Sequence, residues 1–395
     1  MTDTAQQQKK TLLMTEGSIW KSILLFSVPL ILGNLLQQLY NTADSIIVGN
    51  FLGSNALAAV GSSGSPIYLL IGFSQGVAVG AGVVVSQYLG AKDKKETRIA
   101  VHTSLAIAAI LGLILTVGGI AVSRTLLVWM NTPDEVLGDA VTYMKLYFGG
   151  VLFSVIYNMA AGILNAAGNS QRSVLYLACA SITNIILDLV FIAGLKMGVA
   201  GAAIATDISQ LVSCVLSLRF LMKVDADYKV ELSSVRPEKR MTSRIIRIGL
   251  PTGIQNMVIS FSNVLVQSSV NSYGAAAMAG FAAYMKIDGF NILPVTSFSM
   301  AATTFVGQNY GAGKIDRCKK TMFLCLIEDF IASAVAIALV LLTGKYILAI
   351  FNSDPEVIAI GYTRLLFLFG SYIFTLTYEI LSGLSLIHIS EPTRL

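Results

Sequence analysis

The chain has 395 residues, 55% of them hydrophobic and 12% charged, a formal net charge of +5, and a mean hydropathy of +0.72. A soluble domain carries roughly 25% charged residues. Composition therefore excludes a water-soluble globular protein and turns most of the surface toward lipid. The residues Met1 to Lys10 are polar, and the first apolar stretch runs straight into further spans, so no cleavable signal is evident.

Ten apolar segments approach the ~20 residues that cross a bilayer. They cover 22–48, 57–85, 99–123, 137–161, 173–194, 198–222, 245–270, 277–306, 321–343 and 357–383. In the first, Asn34, Gln37, Gln38, Asn41 and Asp44 recur every three or four residues and share a helix face. A polar stripe against hydrocarbon is unstable, so it faces a cavity or other helices. Prolines at 29, 66, 251 and 294 interrupt spans, as in moving or cavity-lining helices. The Gly72–Gly82 run suits close helix packing rather than phosphate binding. In the fifth span Asn184 and Asp188 are four apart on one face, with Ser181 a turn earlier; in the sixth lie Thr206 and Asp207. At 1.5 Å per residue, Asp188 stands ~22 Å from the inner end of its helix and Thr206 ~12 Å from the outer end of the next. With Asp44, three helices bring hard oxygen ligands to one level. Interhelical hydrogen bonding for packing is the competing explanation of the same residues.

The stretch from Val224 to Ser243 is hydrophilic and separates the first six spans from the other four. Beyond it the sequence repeats. A shift of 221 lays Gly53 on Gly274, Gln87 on Gln308, Gly90 on Gly311, Phe148 on Phe369, Tyr157 on Tyr378 and Gly162 on Gly383. Near the start the shift is 222, with Pro29 on Pro251 and Asn41 on Asn263. Six spans is an even number, so both copies enter the membrane in the same sense, a parallel repeat of the kind found in secondary transporters. The expected architecture is an all-α polytopic membrane protein of two six-helix lobes: residues 1–223, a cytoplasmic linker 224–243, and 244–383 with four of six helices. Residues 384–395 echo nothing in the first copy and are read as a non-native ending, so the second lobe is expected to lack its last two helices.

Among the remaining intramembrane charges, Lys286 and Asp288 sit two apart in the eighth span and point to different faces. Glu379 is the one acid of the tenth span, mirrors Asn158, and is a candidate for holding cationic drugs. Arg364 and Lys145 are expected to snorkel, and His102 to lie at the membrane interface. The four cysteines fall in or beside apolar segments without ligand spacing and read as small core residues. No nucleophile–base pair, phosphate-binding loop or metal motif is present, so no enzymatic activity and no cofactor are expected.

Twenty lysines and arginines fall on the side of the N-terminal arm and the 224–243 linker, and three on the other (Arg124, Lys196, Lys345). The positive-inside rule then places the N-terminus in the cytoplasm. The net positive charge is topological and implies no nucleic-acid partner.

The segments PLILGNLLQQLYNTADSIIVGNFLG, ASITNIILDLVFI, SQYLGAKD and FVGQNYGAGK resemble the multidrug and toxic compound extrusion (MATE) family over about residues 15–383. Within it the chain is most similar to the DinF-like bacterial branch. The resemblance implies two six-helix lobes around a V-shaped cavity, in the bacterial inner membrane, exporting drugs in exchange for Na⁺ or H⁺. It implies a cation site at Asp44, Asn184, Asp188 and Thr206, with Tyr143 and Asn158 as cavity residues. The cavity is expected to add Asn34, Gln37, Gln38, Asn41, Asp288 and Glu379. The NorM-like branch has a glutamate eight residues after the seventh-helix proline; here that position is Ile259, against a NorM-type site in the second lobe. Drug-like small molecules and membrane lipids are the expected partners, and a monomer the expected state. A lipid or lipid-linked precursor flippase of the same superfamily is the alternative, but its diphosphate cargo would call for a strongly cationic cavity.

Overall fold

The computed structural model describes residues 14–271, 273, 275–351 and 354–389, and the described residues form ten long helices. The first six are α1 (Ile19–Leu52), α2 (Ser54–Gly90), α3 (Lys94–Trp129), α4 (Asp134–Ala166), α5 (Ser170–Asp188) and α6 (Val199–Lys223). The other four are α7 (Lys239–Asn271), α8 (Ala275–Gly311), α9 (Ile315–Phe351) and α10 (Pro355–Ile389). Each expected span corresponds to one helix. Most helices are longer than the apolar segments, because hydropathy reports only the part inside hydrocarbon. At 37 residues, α2 is ~55 Å long, against a hydrocarbon core of ~30 Å. The polar start of α3 is capped: the Asp93 side chain accepts from the Glu96 amide at 3.0 Å. Among the described residues eight helices are long and apolar enough to cross a membrane; α7 and α8 are not among them. Polar residues such as Gln255, Asn256, Ser260 and Ser262 dilute α7.

The repeat is visible in the helix limits. α2 runs from 54 to 90 and α8 from 275 to 311, a shift of 221 at both ends. It extends to contacts. A side-chain carbon on Gly90 would collide with the Gln308 backbone carbonyl, and one on Gly311 with that of Gln87. These four residues are two repeat pairs, so α2 and α8 cross at a point of local twofold symmetry. Crossing backbone on backbone requires glycine on both sides. The seam between α2 and α7 is as tight, with Gly76 against Gly253 and Gly80 against Gly249. Its symmetry partner, between α1 and α8, is built differently: Asn34 Nδ2 donates to Ser297 Oγ at 3.4 Å.

The segment leading into α1 and the first turns of α7 strap the end of the molecule where α2 meets α8. Met14 N donates to Gln308 Oε1 (3.0 Å), Asn309 Nδ2 to Met14 O (3.1 Å), and Lys314 Nζ to Thr15 O (2.9 Å). On the other side Arg244 Nη2 donates to Gln87 Oε1 (2.8 Å) and Nη1 to Tyr88 Oη (2.6 Å). Gln87 and Gln308 thus play matching parts in the two copies. The linker is non-helical over 224–238 apart from a 3-10 turn at Leu232–Ser234; the rest of the expected 224–243 stretch is already the first turn of α7. His102 is only 6% exposed and lies under the linker instead of at the lipid boundary. Its Nε2 accepts from the Glu231 amide at 2.9 Å, and its Nδ1 lies 2.6 Å from Arg98 O. Both ring nitrogens are satisfied by backbone, which is why a histidine buries here. Residues 384–389 continue α10, and Leu384 packs on the core; residues 390–395 lie outside the described residues.

Candidate functional site

Two adjoining regions of α1 carry chemistry. In its C-terminal half, the carboxyl group of Asp44 lies beside that of Asp188. Asp188 is fully buried and ends α5, where the chain passes into a π-helical turn, Leu189–Gly194. Such turns loosen the backbone ladder and occur often at functional sites. One turn back, Asn184 Nδ2 donates to Thr206 Oγ1 of α6 at 3.4 Å, and Thr206 Oγ1 donates to Ala202 O at 3.0 Å. The four expected cation ligands therefore converge from α1, α5 and α6. Asp44 Oδ1, both oxygens of Asp188 and Asn184 Oδ1 are buried with no donor. Buried polar atoms are otherwise almost always paired, so these four donorless acceptors set the cluster apart as the candidate site. Two carboxylates, an amide oxygen and a hydroxyl are hard ligands that fit Na⁺ as well as H⁺.

Tyr143 joins this group. It is 7% exposed, lies in electrostatic reach of Asp44 and Asp188, and is not among the residues lining the central cavity. Tyr40, also in electrostatic reach of both carboxyl groups, escaped sequence reading because a tyrosine in an apolar helix resembles core. Asp207, one residue after Thr206, is packed against α4 where Gly150 leaves room: a side chain at 150 would run into the Asp207 carboxyl group.

The second region is a cavity of about 660 Å³ between α1 and α2 on one side and α7 and α8 on the other, with α4 and α5 behind. Asn34, Gln37, Gln38 and Asn41 of the α1 stripe line it, and so does Asn158 of α4. Asp288 and Glu379 are not among its lining residues. Asp288 Oδ1 accepts from Tyr372 Oη at 2.7 Å, inside the second set of helices. Nearby Arg364 stacks 4.0 Å over Phe281 and 4.8 Å over Tyr284 rather than snorkelling. Glu379 lies in electrostatic reach of Asp329. Lys286 lies on a helix whose side chain at that position is outside the described residues.

Glu328 and Asp329 were passed over in the sequence. Asp329 is fully buried and accepts from Ser333 Oγ at 3.0 Å; neither oxygen of Glu328 has a donor. Two adjacent acids within the apolar run LCLIEDFIASAV were the available signal. A larger hollow of about 960 Å³, lined by Lys94, Arg98, Asp227, Glu231 and Glu238 among others, is the groove between α3 and the linker. Ion pairs Lys94–Asp227 (3.5 Å) and Arg98–Glu231 (3.2 Å) cross it, and it contains neither the α1 stripe nor Asn184, Asp188 or Thr206.

Known proteins share this arrangement. A family model described as MatE matches residues 29–190 and 251–385, one stretch in each copy of the repeat. The probable multidrug resistance protein YpnP of Bacillus subtilis is 30% identical over 94% of this chain and 83% of its own length. The multidrug export protein MepA of Staphylococcus saprophyticus is 24% identical over 88% of the chain and 76% of that protein. Among solved structures, an outward-facing multidrug resistance MATE transporter superposes with a TM-score of 0.88 at 25% identity, covering 97% of this chain and 87% of that one. A transporter from Pyrococcus furiosus, described as having a binding pocket of reverse polarity, gives 0.89 at 26% identity, with 97% and 86% covered. The sequence repeat, the helix crossings and these likenesses agree: the chain belongs to the MATE family of multidrug efflux transporters.

Proposed function

We propose that the protein is a cation-coupled antiporter that exports amphipathic small molecules in exchange for Na⁺ or H⁺ bound at Asp44, Asn184, Asp188 and Thr206. The observation that carries this reading is the set of four donorless buried oxygens on Asp44, Asn184 and Asp188. Charged and polar groups within a membrane are costly and are retained for function. Asn41 of the cavity and Asp44 of the ion pocket are three residues apart on one rigid helix. A change in α1 on ion binding is therefore felt where substrate sits, and coupling needs only that the two ligands favour different states. The cavity supports export over lipid-precursor flipping, because no cation among its described lining residues is available to a diphosphate. Asn158 with the α1 stripe serves as substrate surface, Tyr143 as a wall of the ion pocket, and Asp288 and Glu379 act behind the cavity. The charge bias supports a cytoplasmic N-terminus and linker; a bacterial inner membrane and a monomeric state complete the proposed reading.

The test is transport in proteoliposomes under an imposed Na⁺ or proton gradient. Asp44→Asn and Asp188→Asn should each remove ion-driven dye export while the protein still inserts and purifies. Normal ion-driven export by either variant would refute the site.

A further inference from the structure

The central cavity holds an unusual density of one functional group. Besides the four α1 carboxamides, Gln75 of α2, Asn158 and Asn165 of α4, and Asn256 of α7 line it. That makes eight carboxamides, and no charged side chain among the described lining residues. Some are spent on the protein: Asn256 Nδ2 donates to Gly72 O (3.0 Å), and Asn165 Oδ1 accepts from Ser173 Oγ (2.9 Å). Gln38, Asn41, Gln75 and Asn158 make no side-chain hydrogen bond among the described residues. Apolar walls such as Leu30, Val79, Leu293 and Met300 lie between them, and the Tyr157 ring is held by its hydroxyl on Ser173 O at 3.0 Å.

We infer that this cavity selects uncharged amphiphiles bearing hydroxyl or amide groups, and disfavours permanent ions of either sign. The inference rests on reading Asp44 and Asp188 as the ion site, which removes them as counter-charges for a cationic substrate. A carboxamide presents both two donors and an acceptor. Several of them around an apolar wall match a ligand that offers donors and acceptors on a greasy body. A quaternary cation offers neither; it would lose its water to a wall of neutral dipoles with no compensating charge. A site built from hydrogen-bonding groups also penalises a ligand that leaves them unpaired, since the groups themselves lose water.

Three probes of one size range decide this with the full chain in lipid nanodiscs: 4-methylumbelliferyl glucoside (uncharged, hydroxyl-bearing), tetraphenylphosphonium (a permanent cation) and 4-methylumbelliferyl sulfate (an anion). Equilibrium binding should favour the glucoside by about tenfold or more over both ions. Gln38→Leu and Asn158→Leu should each weaken glucoside binding and leave tetraphenylphosphonium nearly unchanged. Gln38→Glu should move the preference toward the cation. Equal or tighter binding of either ion to the unsubstituted protein, an unmoved preference in Gln38→Glu, or binding of none of the three overturns the inference. Ion-driven transport in proteoliposomes keeps the two proposals apart. Preferential export of tetraphenylphosphonium would retain antiport and overturn this selectivity, whereas glucoside binding without ion-driven movement would do the reverse.

Discussion

At the scale of the residue, the linker end is organised by single side chains that answer backbone groups. Glu238 sits before α7 and accepts from the amides of Arg240 (3.1 Å) and Met241 (2.6 Å), with one oxygen for each. The Met241 amide first, then that of Arg240, holds its carboxyl below the ordinary glutamate value. The helix N-terminus rewards the negative charge. A carboxyl whose folded value is depressed stabilises above its unfolded value and loses that contribution as pH falls through the folded one. Glu238→Gln should therefore lower the melting temperature of the purified protein at neutral pH. The gap should close under acid, below the usual glutamate range, where wild type is itself protonated. A gap that is constant from neutral pH to strong acid would mean the side chain's shape, not its charge, does the capping. The same scale shows where sequence reading falls short. The spacing of Asn184 and Asp188 was legible because period and polarity coincide. The placement of Tyr143 against Asp44 was not, because the distance between α4 and α1 is not written in either helix.

At the scale of the element, the two copies meet through glycine. Gly90 and Gly311 let α2 and α8 touch backbone to backbone, while Gly118, in α3, has open space where a side chain would stand. Gly90→Ala and Gly311→Ala should each cost about 1–3 kcal/mol by forcing the crossing apart. Gly118→Ala should be neutral or slightly stabilising, since alanine favours a helix over glycine by about 1 kcal/mol. Thermal unfolding followed by fluorescence in detergent measures all three; a loss as large at 118 as at 90 would show that the crossing is not special. The sequence marked these glycines as repeat partners but not as contacts. Only the crossing of α2 over α8 turns a 221-residue echo into an axis.

At the scale of the whole molecule, the straps at Met14–Glu16 and at Arg244 of α7, together with the α2–α8 crossing, tie the linker end together. Alternating access requires that end to open. The point to hold it is where Ser86 and Gly307 meet: a side-chain carbon on Gly307 would stand 3.2 Å from Ser86 Cβ. That is near the Cβ separation of about 3.5–4.5 Å in disulfides. The double substitution Ser86→Cys with Gly307→Cys should lose its transport on oxidation and recover, on reduction, the level it had before oxidation. Full transport by the oxidised, cross-linked protein would mean that the α2–α8 seam does not part during the cycle.

The sequence by itself determined the solvent, the number of helices and the repeat, and it marked Asp44, Asn184, Asp188 and Thr206 as candidates for an ion site. These are consequences of local periodicity and of the cost of polar groups in lipid, which every stretch of chain carries with it. Only the tertiary structure decided which polar residues share a space. It gathered Asp44, Asn184, Asp188 and Thr206, moved Tyr143 to them, kept Asp288 and Glu379 behind the cavity wall, and filled that wall with carboxamides. The reason is geometric: a helix fixes the face on which a residue lies, but the neighbour that face meets is set by how helices from distant parts of the chain cross.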